Sequence, residues 1–295
     1  MILVVGATGQ LGGMIAQSLL ARGDSVRALV RNPAECGWLT AAGATLAVGD
    51  LHDPVSLANA CSGASAVVTT ATSMARGGAD TIESVDRTGN LNLIAAAAAH
   101  GVERFIFVSA LGAAAESPMP LLSAKGAAEE RLRDSGIPAT ILQPDFYMEL
   151  LPVAVVGAPA LAGQPVTLVG EGRRRHSLVS MSDVARYAVA ALDHADSAGE
   201  TLVIGGPKPV SWHDIVAAFE RELGREIAVS YAPIGVEVPG LAPMLVGLLT
   251  ALEGYDTPLD MSRLSDRFGI QATSLAGFVH NFVAGARHES RSLAG

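Results

Sequence analysis

Gly6, Gly9 and Gly12 recur at a spacing of three in Val5-Gly6-Ala7-Thr8-Gly9-Gln10-Leu11-Gly12-Gly13, directly after the apolar run Ile2 to Val5. Between a strand and the start of a helix, that spacing suits a pyrophosphate. Gly6 makes the tight turn, Gly9 lets backbone amides approach the anion, Gly12 permits close helix-strand packing, and the helix N-terminus adds positive potential. Thr8, Gln10 and Leu11 share this loop as expected cofactor contacts; the bland alternative is an ordinary glycine-rich turn. The second apolar run ends in Ala28-Leu29-Val30-Arg31-Asn32-Pro33. An acidic residue there accepts from a ribose 2′-hydroxyl, whereas a guanidinium can clamp a 2′-phosphate, so Arg31 points to NADP(H) unless it is a solvated loop cation. In Val48-Gly49-Asp50-Leu51, Asp50 could accept from an adenine amino group and Leu51 could cover the ring, or the pair simply forms a turn. Thr70, at the end of a fourth apolar run, completes this set.

Lys125 and Lys208 are the two lysines of a chain with 20 basic residues, so arginine is the default cation here. A desolvated ammonium can hydrogen-bond a nicotinamide ribose and lose enough basicity to donate a proton, which a guanidinium cannot do. Lys125 is therefore a candidate catalytic and cofactor-binding residue, with an exposed pairing to Glu129 one helical turn on as the alternative. Ser109, at a strand end, either orients substrate or cofactor or caps the following loop. Tyr147 either supplies a phenol or is an amphipathic wall residue. His176 follows Arg173-Arg174-Arg175 and suits proton transfer; the arginine run is either a solvated loop or a site for an anionic substrate. From Pro239 to Tyr255, Leu241, Met244, Leu245, Leu248, Leu249 and Leu252 fall at helical spacing. That face is either core or the roof of a cleft, in which Met244 and Leu248 would line a pocket for a flat apolar substrate.

The elements that must hold these residues alternate. Ile2 to Val5, Ser25 to Val30, Thr45 to Val48, Ala66 to Thr70, Arg104 to Val108 and Ala139 to Leu142 read as strands. Leu11 to Arg22, Pro54 to Cys61, a stretch from about Thr81 to His100, and Ser123 to Asp134 read as helices. This β-α order predicts an α/β fold: a Rossmann-type doubly wound parallel sheet over residues 1–150. Beyond it, residues 151–295 read as a smaller C-terminal α/β substrate lobe, interleaved with the first. Its expected elements are a helix from about Asp183 to Leu192, a strand at Thr201 to Ile204, and a helix from Trp212 to Leu223, capped by Ser211 and stopped by Gly224.

Hydrophobic residues make up 49% of the 295-residue chain and charged residues 17%, enough apolar material for a large core. A net charge of −9 opposes attraction to phosphate backbones or anionic lipid, so nucleic acid and membrane surfaces are not expected partners. The apolar runs near Leu150 and Leu241 are too short to span a bilayer. Met1 runs straight into the first strand, so no targeting segment is expected. Two isolated cysteines, Cys36 and Cys61, fit neither a metal site nor a disulfide scaffold and suit the cytoplasm. The expected assembly is a monomer or a homodimer.

Taken together, Gly6-Ala7-Thr8-Gly9-Gln10-Leu11-Gly12, Leu29-Val30-Arg31, Gly49-Asp50-Leu51, Phe107-Val108-Ser109-Ala110, Lys125 before Glu129, and Ile141-Leu142-Gln143-Pro144-Asp145-Phe146 resemble the NmrA-like branch of the atypical short-chain dehydrogenases. Ser182-Asp183-Val184-Ala185 and the segment from Gly205 through Arg225 extend the likeness across nearly the whole chain. The resemblance implies an NADP-binding fold with a small substrate lobe, and a chain that passes the nicotinamide at Asp145, Phe146 and Tyr147. The family includes quinone reductases, reductases of plant phenolics and polyketide intermediates, and proteins that bind the nucleotide without catalysis. Short-chain dehydrogenases of the usual kind carry Tyr-x-x-x-Lys; here Leu121 stands four residues before Lys125. The expected function is an NADPH-dependent reductase of a carbonyl, quinone or enone in a small hydrophobic substrate. A non-catalytic NADP sensor and an epimerase or dehydratase with transient nucleotide redox are the alternatives.

Overall fold

The computed structural model describes residues 1–74 and 77–293, with side chains through residue 288. It divides into two units, Met1–Pro144 with Val184–Ile204, and Asp145–Asp183 with the chain from Gly205 onward.

Among the described residues, the first unit holds one seven-stranded parallel sheet. In chain order its elements are β1 (Ile2–Val5), α1 (Gln10–Ala21), β2 (Val26–Val30), α2 (Gly37–Ala41), β3 (Thr45–Val48), α3 (Pro54–Cys61), β4 (Ala66–Thr69), α4 (Asn90–Ala99), β5 (Arg104–Val108), α5 (Pro120–Asp134) and β6 (Ala139–Pro144). The second unit contributes α6 (Ala158–Leu161) and β7 (Val166–Val169). After it come α7 (Met181–Asp193), which crosses between the units, and β8 (Thr201–Ile204), which rejoins the first. The strand order is β3-β2-β1-β4-β5-β6-β8, a Rossmann-like α/β arrangement in which the chain winds outward from β1 in both directions. The inner strands read as continuous apolar runs because helices cover both faces: β1, β4 and β5 are buried throughout. Leu3, Val67, Leu93, Phe105, Phe107 and Leu132 form one contiguous core under α3, α4 and α5.

Register determines what meets at the carboxyl edge. Val5 pairs with Leu29 on one side and Thr69 on the other, and Val30 pairs with Val48. The glycine loop, Arg31, Asp50 and Thr70 therefore all begin one or two residues beyond aligned strand ends, at the point where the strand order reverses. Ligands of open α/β sheets bind in that crevice.

The second unit also carries α8 (Trp212–Leu223), β9 (Val229–Ala232), α9 (Pro243–Leu252), α10 (Ser262–Phe268) and α11 (Leu275–Leu293), and pairs β7 with β9 in parallel. Its core gathers Val156, Leu168, Phe219, Leu249, Val279 and Val283. Ser211 caps α8 with a reciprocal bond to Asp214, and Gly224 ends it in the left-handed conformation.

Three expectations need correction. Thr201–Ile204, expected in the second lobe, lies in the main sheet, pairing in parallel with β6. An apolar tetrapeptide does not encode which edge it joins. The stretch expected as one helix from Thr81 to His100 opens with a π-helical segment, Ile82–Gly89, before α4. Its widened turn aims Asp86 inward, and Asp86 is fully buried. On α9 the buried side chains are Val246, Leu249 and Leu252, whereas Met244 is 48% exposed.

Candidate functional site

Gly6 has φ +91°, a left-handed turn that a side chain would strain, and its carbonyl accepts the Gly9 amide at 2.9 Å. A Cβ on Gly12 would lie 2.1 Å from that carbonyl oxygen and 2.8 Å from Thr70 Oγ1, so α1 can leave β1 at this angle only without a side chain there. Gly9 caps α1 with no side-chain bond, which leaves the amide end of a twelve-residue helix facing outward. Thr8, Gly9 and Gln10 are exposed around it, and Leu11 is buried. Gly6, Thr8, Arg31, Asp50 and Leu51 line one groove together with Leu29, Ala71, Asp80 and Val85. Thr70 does not line the groove; its amide donates to the Val5 carbonyl at 3.0 Å, beside Ala71, which does. Asp50 takes part in a turn at the edge of the groove. It lines the groove, and its Oδ1 accepts the His52 amide at 2.9 Å, forming the turn.

Lys125 is 4% exposed, and its ammonium faces three internal acceptors. Nζ donates to the carbonyls of Ala71 at 3.0 Å and Val108 at 3.4 Å, and lies 3.5 Å from Asp86 Oδ1, with the Phe107 ring 5.2 Å away. Burial pushes the Lys125 ammonium below the usual lysine range, and Asp86 opposes that shift. The other Asp86 oxygen accepts from the Ser73 amide and hydroxyl at 2.9 and 2.7 Å. The Lys125–Glu129 pair, the alternative for an exposed lysine, is not formed. Glu129 is buried and accepts instead from Ser109 Oγ at 2.5 Å, Gln143 Nε2 at 2.8 Å and Arg133 Nη2 at 2.8 Å. The Ser109 hydroxyl is thereby committed to a structural network rather than offered to a substrate. Asp86 and Asp80 escaped the sequence reading because tertiary placement alone gives them partners; a lone acid in a helical stretch carries no other signal.

In the second unit, Asp145 and His176 are each 3% exposed and are joined by Thr257. Thr257 Oγ1 lies 2.8 Å from Asp145 Oδ2 and 3.0 Å from His176 Nδ1, and His176 Nε2 faces the Leu252 carbonyl at 3.1 Å. Facing a carbonyl, Nε2 must carry hydrogen, and the threonine has one hydrogen for two partners. Burial raises the Asp145 pKa, with the bonds from Thr257 and the Phe146 amide opposing. His176 is thus a clasp inside this unit and not an open pocket residue. Phe146 packs on the unit's core. Tyr147 is half-buried; burial, then Glu149, raises its phenol pKa, which makes it a weaker acid. Leu248 packs against the core, and the unit's groove is lined by Ala154, Pro159, Val238, Pro239 and Leu241 instead of Met244 and Leu248. The arginine run is consumed locally: Arg174 pairs with Asp256 at 3.2 Å and Arg175 with Asp214 at 3.3 Å.

Residues 6–195 match the sequence profile of a family described as NAD(P)H-binding. The chain belongs to that family. Within it, the solved neighbours are of the NmrA-like, atypical short-chain dehydrogenase type. This NAD(P)H-binding chain is 32% identical over 235 residues to the Photosystem II assembly factor Ycf39 of Synechocystis, covering 80% of this chain and 71% of the relative. It is 30% identical to the NAD(P)H azoreductase of Xenophilus azovorans, covering 80% and 78% respectively. The NADPH-dependent quinone oxidoreductase of Escherichia coli, solved with NADPH, aligns with a TM-score of 0.80 at 25% identity over 96% of this chain and all of that one. The groove of the first unit fits an NAD(P)H: the N-terminus of α1, which no side chain caps, and the glycines of the preceding loop suit a pyrophosphate, and Arg31 lines the same groove. Among the described residues, no helix is long and apolar enough to cross a membrane.

Proposed function

We propose that this chain is an NADPH-dependent reductase acting on the carbonyl, quinone or conjugated enone of a small hydrophobic substrate, in the cytoplasm. The observation that carries the reading is Arg31 on the rim of the glycine-loop groove, supported by relatives named as an azoreductase and a quinone oxidoreductase. NADPH, when bound, supplies the hydride. Gly6, Gly9 and the α1 amides hold its pyrophosphate, Asp50 and Leu51 meet the adenine, and Arg31 takes the 2′-phosphate. Lys125 acts as a positioning residue: its ammonium donates to the Ala71 carbonyl on the wall of the groove and to the Val108 carbonyl at the end of β5, and pairs by charge with Asp86. With the motif tyrosine replaced by Leu121 and the Ser109 hydroxyl bound to Glu129, the proton that completes the reduction comes from water.

The test is a titration with NADPH and NADH followed by an acceptor screen with quinones, enones and azo dyes, read at the nicotinamide absorbance band. NADPH oxidation with at least one acceptor is expected. Arg31→Ala is expected to lower the NADPH to NADH affinity ratio about ten-fold, one charged hydrogen-bonded contact; an unchanged ratio sinks the NADP assignment. A second reading, a nucleotide sensor that reports redox state to a partner protein, is favoured by Leu121 and by relatives named as assembly factors. Tight, selective NADPH binding with no oxidation across the whole panel would select it.

A further inference from the structure

Arg31 already has a partner in the groove. Its Nη1 lies 2.9 Å from Asp80 Oδ2 and 4.0 Å from Asp50 Oδ2. The two side chains differ sharply in exposure, 51% for Arg31 against 8% for Asp80. Asp50 is turned toward its own loop, with His52 Nδ1 3.2 Å from Oδ1 in addition to the bond from the His52 amide. Asp80 is therefore the close counter-ion of Arg31, and both line the groove that holds the glycine loop.

We propose that Asp80 is a built-in competitor for the 2′-phosphate and sets how strongly the groove distinguishes NADPH from NADH. The proposal rests on Arg31 being the phosphate ligand. A 2′-phosphate reaching Arg31 must either draw the guanidinium away from a nearly buried carboxylate or settle beside that carboxylate and Asp50. Both routes cost free energy, by lost pairing or by like-charge repulsion. A ribose with a free 2′-hydroxyl meets neither cost, because it leaves the Arg31–Asp80 pair intact. The pair thus penalises the phosphorylated nucleotide alone, and the wild-type chain uses both nucleotides with a weaker preference than a basic residue after β2 implies by itself.

Dissociation constants for NADPH and NADH, measured by fluorescence titration at fixed ionic strength, test this without any need for turnover. Asp80→Asn is expected to tighten NADPH about five-fold while NADH changes less than two-fold, the scale of one partly exposed ion pair. Asp80→Glu, which keeps the charge, should retain the wild-type ratio. In an Arg31→Ala background, Asp80→Asn should shift the ratio by less than it does in the wild type, since the competition for the guanidinium is gone and only direct repulsion of the phosphate remains. Asp80→Ser serves as a second neutral variant if a thermal melt shows Asp80→Asn to be poorly folded. The proposal is overturned if neutral variants leave the ratio unchanged, or tighten both nucleotides equally, while Arg31→Ala still lowers it. A ratio indifferent to Arg31→Ala overturns the phosphate reading and this proposal with it.

Discussion

Replacing Asp86 with asparagine removes one charge from the pair that fixes the wall of the groove, and the structure supplies the cost. At the 3.5 Å separation between Lys125 Nζ and Asp86 Oδ1, two unit charges at an effective dielectric near 20 attract by about 5 kcal/mol. Breaking a buried pair by removing one partner typically costs about 3–5 kcal/mol, because the remaining charge stays desolvated. Lys125 has one escape, to release its proton. Burial already lowers its folded pKa, and losing Asp86 lowers it further. For a lysine neutral in the folded state and charged in the unfolded one, stability is lost as pH falls below the unfolded lysine pKa and regained as pH rises toward it. Asp86→Asn is therefore expected to lose about 3–5 kcal/mol at pH 7, and to recover up to about 1.4 kcal/mol per pH unit between pH 7 and 9. Urea denaturation of wild type, Asp86→Asn and the double variant Lys125→Met/Asp86→Asn at pH 7, 8 and 9 reads both effects. The double variant should recover at least half of the loss, since no unpaired charge remains. A loss below about 1 kcal/mol at pH 7, or one that does not vary with pH, would falsify the reasoning.

Two other perturbations report on separate parts of the molecule. Gly12→Ala places a methyl 2.1 Å from the Gly6 carbonyl, where backbone must move; it should cost about 2–3 kcal/mol and abolish detectable NADPH binding, and normal binding would remove Gly12 from the cradle. Thr257→Val strands Asp145 Oδ2 and His176 Nδ1 and should cost about 2–3 kcal/mol, with Thr257→Ser restoring most of it. Because the folded Asp145 pKa is raised, its contribution weakens as pH climbs from the ordinary carboxylate range through the raised value. Losing the Thr257 bond, which lowers that pKa, should steepen the decline in thermal melts between pH 4 and 7; equal damage from serine and valine would refute the clasp.

The glycine loop and the first six strands were legible because they rest on local rules. Strand, turn and helix are consecutive, Gly6 and Gly12 answer steric demands set within a dozen residues, and buried parallel strands read as apolar runs. What the sequence hid depends on distant partners. Lys125 stands out by residue type, but that its ammonium bonds the Ala71 and Val108 carbonyls and pairs with Asp86 is a matter of packing. His176 looked available for proton transfer, whereas Thr257 and Leu252, some eighty residues later, occupy both ring nitrogens. The apolar face of α9 was visible, but not which of its side chains would stay exposed, so Met244 was misplaced while Val246 was overlooked. Nothing local to Arg31 reveals Asp80, its partner 49 residues away.

The return of the chain to the main sheet has a consequence for biogenesis. Ile141 of β6 pairs with Thr201 of β8, so the outer edge of β6 stays open while the intervening 145–183 segment and most of α7 are made. At ordinary synthesis speeds of about 5–20 residues per second, that interval lasts roughly 3–12 s. During it, the nascent sheet presents the unpaired edge of β6, and closing it carries the entropy of a long loop. Ribosome-bound intermediates ending between residues 150 and 195 are thus the species most dependent on a chaperone, and their aggregation rather than the stability of the finished fold should limit the yield of soluble protein.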